Sequence, residues 1–302
     1  MRVLAATDGS EDAHAAMAWL TRFPLPAGAE LRVVSAVSVP QSAIDVPPVR
    51  EFQASLREEA RRVAEAARAA LAPRFATADV HVADGDSREV ILRVAETWRA
   101  DLIVLGARGL GAVAGMLLGS VSLGVARHAH CSVLVVKGDT GRLRGALVAL
   151  DGSAHSAAAA AFLAQLPLDP GFAIRLLGVV ERTRHPTTSP SPLTLTSEPA
   201  VAAGLVRQAI EAIVAERRAA LERSLAKAGA PLAGAVKSLQ RQVVVGHPVD
   251  EIVGAVGGPD VDLIVVGSRG LGTIKRFLLG SISEGALRHA DRPVLIVKTE
   301  AS

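Results

Sequence analysis

Residues 101–111 read Asp-Leu-Ile-Val-Leu-Gly-Ala-Arg-Gly-Leu-Gly, and residues 262–272 read Asp-Leu-Ile-Val-Val-Gly-Ser-Arg-Gly-Leu-Gly. The two segments differ only at 105/266 and 107/268. Their offset of 161 (267 − 106) continues through Leu117–Ser120 and Leu278–Ser281, Arg127–Ala129 and Arg288–Ala290, and Val136-Lys137 and Val297-Lys298. It also extends back to Gly85 and Gly246. A second match, Asp8-Gly9-Ser10 with Asp151-Gly152-Ser153, has an offset of 143 (151 − 8). The chain is therefore a tandem duplication, and one unit must explain both halves. The second half is 18 residues longer (161 − 143) between its two motifs. Much of that excess is placed in residues 182–200, a Pro-, Thr- and Ser-rich stretch that reads as a long loop.

The 302 residues fit two domains, 1–138 and 144–299, joined by a short polar linker near residues 138–143. Each half alternates apolar strands with helical segments. Strands are predicted at Val3–Thr7, Leu31–Val39, 78–83, Leu102–Leu105 and Ser132–Val136. Helices are predicted at Ser10–Arg22, 50–72, Asp86–Trp98 and Gly119–His128, with Ser10 as an N-cap and Asp86 with Glu89 as a capping box. The second half repeats the order, with strands near 145–150, 173–180, 239–245, 263–266 and 294–297. Strands that are apolar almost throughout, alternating with helices, predict an α/β fold with a parallel sheet covered on both faces. Of the few topologies with right-handed crossovers, the expectation is two Rossmann-like domains, each a five-stranded sheet of order 3-2-1-4-5.

Composition excludes several function classes. Thirty-three basic and 30 acidic side chains leave a formal charge of +3 without a like-charged block, so there is no electrostatic footprint for nucleic acid. A single cysteine, Cys131, rules out an internal disulfide and a cysteine-cluster metal site, and its apolar neighbours make it a buried structural thiol. A strand pattern beginning at once, without a signal peptide or an apolar run long enough to span a membrane, gives a cytoplasmic expectation.

In the expected strand order the winding reverses between the first and fourth strands, and ligands of open α/β sheets bind beyond the carboxyl ends of strands at such a point. Those ends are Asp8 and Gly106 in one half, Asp151 and Gly267 in the other. The glycine segment runs Gly106-x-x-Gly109-x-Gly111, then seven residues, then Gly119-Ser120; its twin is Gly267-x-x-Gly270-x-Gly272 and Gly280-Ser281. Glycines allow positive φ and close backbone approach, successive N–H groups form an anion nest, and Gly119-Ser120 opens a helix whose N-terminus favours a phosphate. The alternative is a tight turn with Ser120 as a helix cap, and Ser281 with Glu284 completes a capping-box pattern. Arg108 and Arg269 either fork onto phosphates or are solvated loop charges. Asp8 and Asp151 contact a ligand, make an Asx-turn, or do both. His128 and His289, in the last turns of their helices, are read as dipole partners rather than catalysts. Trp19 and Trp98 are read as core. This is neither a P-loop, since no Gly-Lys-Ser/Thr follows, nor the dinucleotide fingerprint, since the glycines follow the fourth strand.

The pattern Gly-x2-Gly-x9-Gly-Ser, with Asp-Gly-Ser at the end of the first strand, resembles the ATP-binding branch of the universal stress protein family. The resemblance covers nearly the whole chain, as a tandem member. It implies that Asp8 and Asp151 contact the nucleoside and that Val37 and Val180 meet the adenine. It also implies that Gly106, Arg108, Gly109, Gly111, Gly119, Ser120 and Val121 hold ribose and phosphates, as do Gly267, Arg269, Gly270, Gly272, Gly280, Ser281 and Ile282. The implied ligand is ATP, or ADP or AMP, with Mg or Mn accompanying its phosphates and no metal ligand set on the protein itself. The implied role is a nucleotide-linked regulator of stress response acting on a protein partner not readable from sequence, with an intramolecular pseudo-dimer formed through the fifth strands. Whether two chains associate further is left open. A slow ATPase or nucleotidyl-transfer enzyme is the alternative, against which stands the lack of a Ser-Gly-Gly-x-Asp-Ser or His-x-Gly-His motif. A scaffold with vestigial sites is a third reading.

Overall fold

The computed structural model describes residues 1–38, 46–111, 117–138, 141, 143–181, 199–257, 260–270 and 279–299. The first half runs β1 (Arg2–Ala6), α1 (Glu11–Leu20), β2 (Glu30–Val37), α2 (Pro47–Leu71), β3 (Asp79–Asp84), α3 (Ser87–Trp98), β4 (Leu102–Gly106), α4 (Ser120–His128) and β5 (Ser132–Val136). The second runs β6 (Gly145–Leu150), α5 (Ala154–Ala164), β7 (Ala173–Glu181), α6 (Pro199–Gly229), β8 (Ser238–Gly246), α7 (Pro248–Gly254), β9 (Leu263–Gly267), α8 (Ser281–His289) and β10 (Val294–Val297). Short 3-10 turns at Ala230–Leu232 and Ala255–Gly257 follow α6 and α7.

The strands form one sheet of ten, ordered β3-β2-β1-β4-β5-β10-β9-β6-β7-β8. Within each half the order is third, second, first, fourth, fifth, and every pairing is parallel. The halves meet where β5 and β10 pair antiparallel, with Leu134 opposite Leu295. All residues of β4, β5, β9 and β10 are buried, as central strands covered on both faces must be.

Alternate residues of each strand feed two apolar layers. Val3, Ala5, Leu134 and Leu295 lie in the layer that also holds Met17, Leu20, Leu71, Leu163 and Leu225 of α1, α2, α5 and α6. Leu4, Val133, Val135 and Ile296 lie in the opposite layer with Val90, Val94, Val125, Ile252 and Leu287 of α3, α4, α7 and α8. Both layers run across the junction between halves. Trp19 is buried and stacks on Phe23 at 5.3 Å. Trp98 is only partly buried, with the Arg32 guanidinium 4.8 Å from its ring centroid.

Caps start the helices where the chemistry of the side chains dictates. The Ser10 hydroxyl accepts from the Ala13 N–H, and the Asp86 carboxylate accepts from the Glu89 N–H. The Ser281–Glu284 capping box does not form. Gly280 is the N-cap of α8, Ser281 is the first helical residue, and Glu284 turns instead to Arg127 and Arg288. Gly119 likewise caps α4 ahead of Ser120. Residues 199 and 200, taken above as loop, open α6; residues 182–198 lie outside the described residues. α6 has 31 residues against 25 in α2, so part of the extra length of the second half is helix. Among the described residues no helix is long and apolar enough to cross a membrane.

Candidate functional site

The carboxyl ends of β1 and β4 lie side by side, because those strands pair directly. β1 leads into Asp8, Gly9 and Ser10, and Gly9 takes φ 79°, a left-handed conformation that favours glycine. The turn folds the Asp8 side chain back: its Oδ1 accepts from the Ser10 N–H at 3.0 Å. Its Oδ2 accepts from the Leu110 N–H at 3.0 Å, across to the glycine loop. Asp8 therefore makes an Asx-type turn and also fastens the loop to the first strand. The second half repeats this start: Gly152 has φ 86°, and Asp151 Oδ1 accepts from the Ser153 N–H at 3.0 Å.

The glycine loops are closed by two matched sets of bonds. The Gly119 N–H donates to the Ala107 carbonyl, and the Gly280 N–H to the Ser268 carbonyl, each at 2.8 Å. The buried Ser122 hydroxyl donates to the Gly106 carbonyl at 2.8 Å, and Ser283 to Gly267 at 2.6 Å. These bonds bring the N-termini of α4 and α8 against the starts of the loops. Ser120 and Ser281 are exposed there, in the first helical turn, where a phosphate oxygen would meet both hydroxyl and helix N–H groups.

None of the described loop glycines uses positive φ. They are needed for close approach. A Cβ on Gly106 would sit 2.5 Å from the Asp12 backbone carbon, and one on Gly267 would sit 2.6 Å from that of His155. A Cβ on Gly109 would overlap Asp8 Oδ2, and one on Gly270 would lie 2.6 Å from Asp151 Oδ2. Gly111 is exposed with open space around it, and Gly272 lies outside the described residues.

Arg108 is paired within the first half. Its guanidinium forks onto Asp12, both bonds at 3.0 Å, and its backbone N–H donates to the same carboxylate at 2.9 Å. The Asp12 pairing raises the guanidinium's pKa. Sequence reading missed Asp12; its position in the first turn of α1, beside the switch point, was the signal. The equivalent position in the second half is His155 (12 + 143). Its Nδ1 lies 3.0 Å from the Thr299 hydroxyl. Burial and the nearby Arg269 hold the imidazole below its ordinary pKa, with Asp151 opposing.

In the second half these parts enclose a cleft of about 750 Å³. Asp151, Val180, Gly267, Arg269, Gly270, Gly280, Ser281 and Ile282 all line it. The volume is within the roughly 300–1,000 Å³ of small-molecule sites. A further wall, unread in the sequence, comes from Arg217, Leu221 and Ser224 of α6. Gly178 lets that helix close in, since a Cβ there would lie 2.6 Å from Leu221. Val37 and Val180 are both buried near the ends of the second strands.

Lysines outside the clefts tie the halves together. Lys137 Nζ donates to the Leu287 and Ala290 carbonyls at the end of α8. Lys298 Nζ reciprocally donates to the Arg127 and Ala129 carbonyls at the end of α4. Burial lowers each ammonium to about 8, against the carboxylates of Asp291 and Asp12 at Lys137 and the Cys131 sulfur at Lys298. Cys131 is a buried thiol pushed up to about 12 by desolvation. His128 Nδ1 meets the Gly124 carbonyl at 2.8 Å, and His289 is exposed at the end of α8.

The model of the universal stress protein family matches residues 1–137 and again 144–298. A universal stress protein of Thermus aquaticus is 38% identical over 136 residues, 45% of this chain and 97% of that protein. One of Mycobacterium tuberculosis is 28% identical over 305 residues, covering 98% of this chain and 96% of the relative. The crystal structure of a universal stress protein from Archaeoglobus fulgidus superposes with a TM-score of 0.60 at 21% identity, over 99% of this chain and 96% of that one. With both halves matched and their sheets joined through the fifth strands, this chain belongs to the universal stress protein family as a tandem, two-unit member.

Proposed function

We propose that the chain binds adenine nucleotides, ATP above all, at the carboxyl ends of β1/β4 and β6/β9, and acts as a nucleotide-linked regulator of a stress response. The observation that supports this most is the second-half cleft, where every described residue of that half expected to hold nucleotide lies on one surface. Its chemistry suits the ligand. Val180 and Leu221 offer an apolar bed, Asp151 an acceptor for a ribose hydroxyl, and the α8 N-terminus with Ser281 a seat for phosphate. Glycine at 270 lets the loop lie close to Asp151, since a Cβ there would sit 2.6 Å from Asp151 Oδ2. An accompanying Mg or Mn would bind through the phosphates.

Two measurements test this. Mass spectrometry of small molecules released from freshly purified, denatured protein should find ATP or ADP. Calorimetric titration with ATP, ADP and AMP, with and without magnesium, should show saturable binding. No binding of any of the three overturns the reading. ATP turnover that stays proportional to protein through purification and disappears in Asp8→Ala or Asp151→Ala would assign an enzyme instead.

A further inference from the structure

We propose that the first half supplies a residue to the second nucleotide site: Arg127, in the last turn of α4, neutralises Glu284, the one carboxylate on the helix that seats phosphate there, and so raises that site's affinity for phosphate. This rests on the nucleotide-binding reading above and adds a positioning residue to the site.

The placement follows from the strand directions. α4 returns from β4 to its parallel neighbour β5, and α8 returns from β9 to its parallel neighbour β10. Because β5 and β10 are antiparallel, the two helices run in opposite directions over the junction. The end of α4 therefore lies beside the start of α8. There the Arg127 guanidinium forks onto Glu284, Nε to Oε2 at 3.0 Å and Nη2 to Oε1 at 2.7 Å. The same turn of α4 is pinned from the second half, since Lys298 Nζ donates to the Arg127 carbonyl at 3.3 Å. The place of Arg127 beside Glu284 depends on the joining of the halves.

Glu284 stands where a carboxylate matters to an anion. Gly280, Ser281, Ile282 and Ser283 line the second cleft, and Glu284 is the next residue, in the first turn of α8. The helix N-terminus favours a carboxylate there, but that charge competes with a phosphate for the same dipole and repels it. The Glu284 side chain is only 20% exposed, so water screens it incompletely. Arg288, one turn on, donates to it at 2.9 Å. Burial works to raise the Glu284 pKa; the hydrogen bonds from Arg127 and Arg288 outweigh it and hold the group below the usual carboxylate range. With both arginines the cluster carries one net positive charge, and without Arg127 it carries none. The residue matching Glu284 in α4 is Leu123 (284 − 161), and α4 has no acidic side chain, so Arg288 has no carboxylate on α4 to meet. The dependence runs one way, from the first half to the second site.

The test uses the full chain with the first site closed by Gly109→Ala as the parent, and calorimetry of ATP and adenosine at the second site. All variants are compared within that one site, so its other charges, Lys275 and Arg276 of the glycine loop included, are common to every measurement. Arg127→Gln should weaken ATP binding on the order of fivefold, about what one unit charge roughly 10 Å away produces between the limits of water and a protein surface. Glu284→Gln should tighten it by a similar factor, and the double variant, its net charge restored, should return to the parent's affinity. Adenosine, which has no phosphate, should bind all of them alike. Arg127→Lys keeps the charge and should keep most of the ATP affinity. Where Arg127→Gln is poorly folded by circular dichroism, Glu284→Gln alone still reads the sign of the effect. ATP affinity unmoved by Arg127→Gln, ATP affinity weakened by Glu284→Gln, or a parallel loss for adenosine, which marks a brace and not a charge, overturns the proposal while leaving nucleotide binding intact. Failure of the unaltered chain to bind any adenine nucleotide overturns the functional reading itself.

Discussion

Asp8 and Gly109 illustrate how a single contact serves both fold and site. The carboxylate accepts a loop N–H only because no Cβ stands in its way. Gly109→Ala and Gly270→Ala should each destabilise the chain by about 1–3 kcal/mol, the usual cost of overpacking, and abolish nucleotide binding in their own half alone. Denaturant midpoints and calorimetry with the other site intact check both parts. The glycine spacing was legible from sequence because it recurs, but its reason was not. Positive φ belongs to Gly9 and Gly152, which mark the end of the first strand, while the loop glycines answer to neighbours distant in sequence. The Arg108 ion pair was hidden for a similar cause: its partner Asp12 is 96 residues away, and no local pattern announces an ion pair of that span.

At the scale of elements, strand order and helix placement were readable, since buried parallel strands show as unbroken apolar runs and their crossovers leave few arrangements. The α6 wall was not, because helical periodicity says which face is apolar but not which strand it will cover. The reciprocal lysines were also hidden; they show only when the end of each fifth strand is seen beside the other half's helix. They make a pH prediction. Each lysine's pKa is about 8 in the folded chain, below its unfolded value of 10.5. Between those values the unfolded chain binds more protons than the native one, so this pair adds stability as pH rises from about 8 towards 10.5. Urea midpoints measured across that window should rise more steeply in the wild type than in the Lys137→Met, Lys298→Met double variant. Equal slopes would remove the lysines from the account.

The whole molecule is one sheet with two apolar layers that continue through the β5–β10 junction. The halves should accordingly unfold together. Both tryptophans, Trp19 and Trp98, lie in the first half, so fluorescence reports that half and far-ultraviolet circular dichroism reports the chain. The two guanidinium transitions should coincide; a fluorescence midpoint displaced from the dichroism midpoint would show independent units. The antiparallel junction also fixes where the clefts face. Parallel strands in each half place its cleft at their carboxyl ends, and reversing direction at β10 sends the second cleft to the other rim of the sheet. With four strand spacings between them as well, the clefts stand on the order of 25 Å apart and look opposite ways. No single nucleotide can span both. If both ends bind nucleotide as proposed, a partner that grips one rim leaves the other uncovered, and the chain has the valence of a two-ended connector.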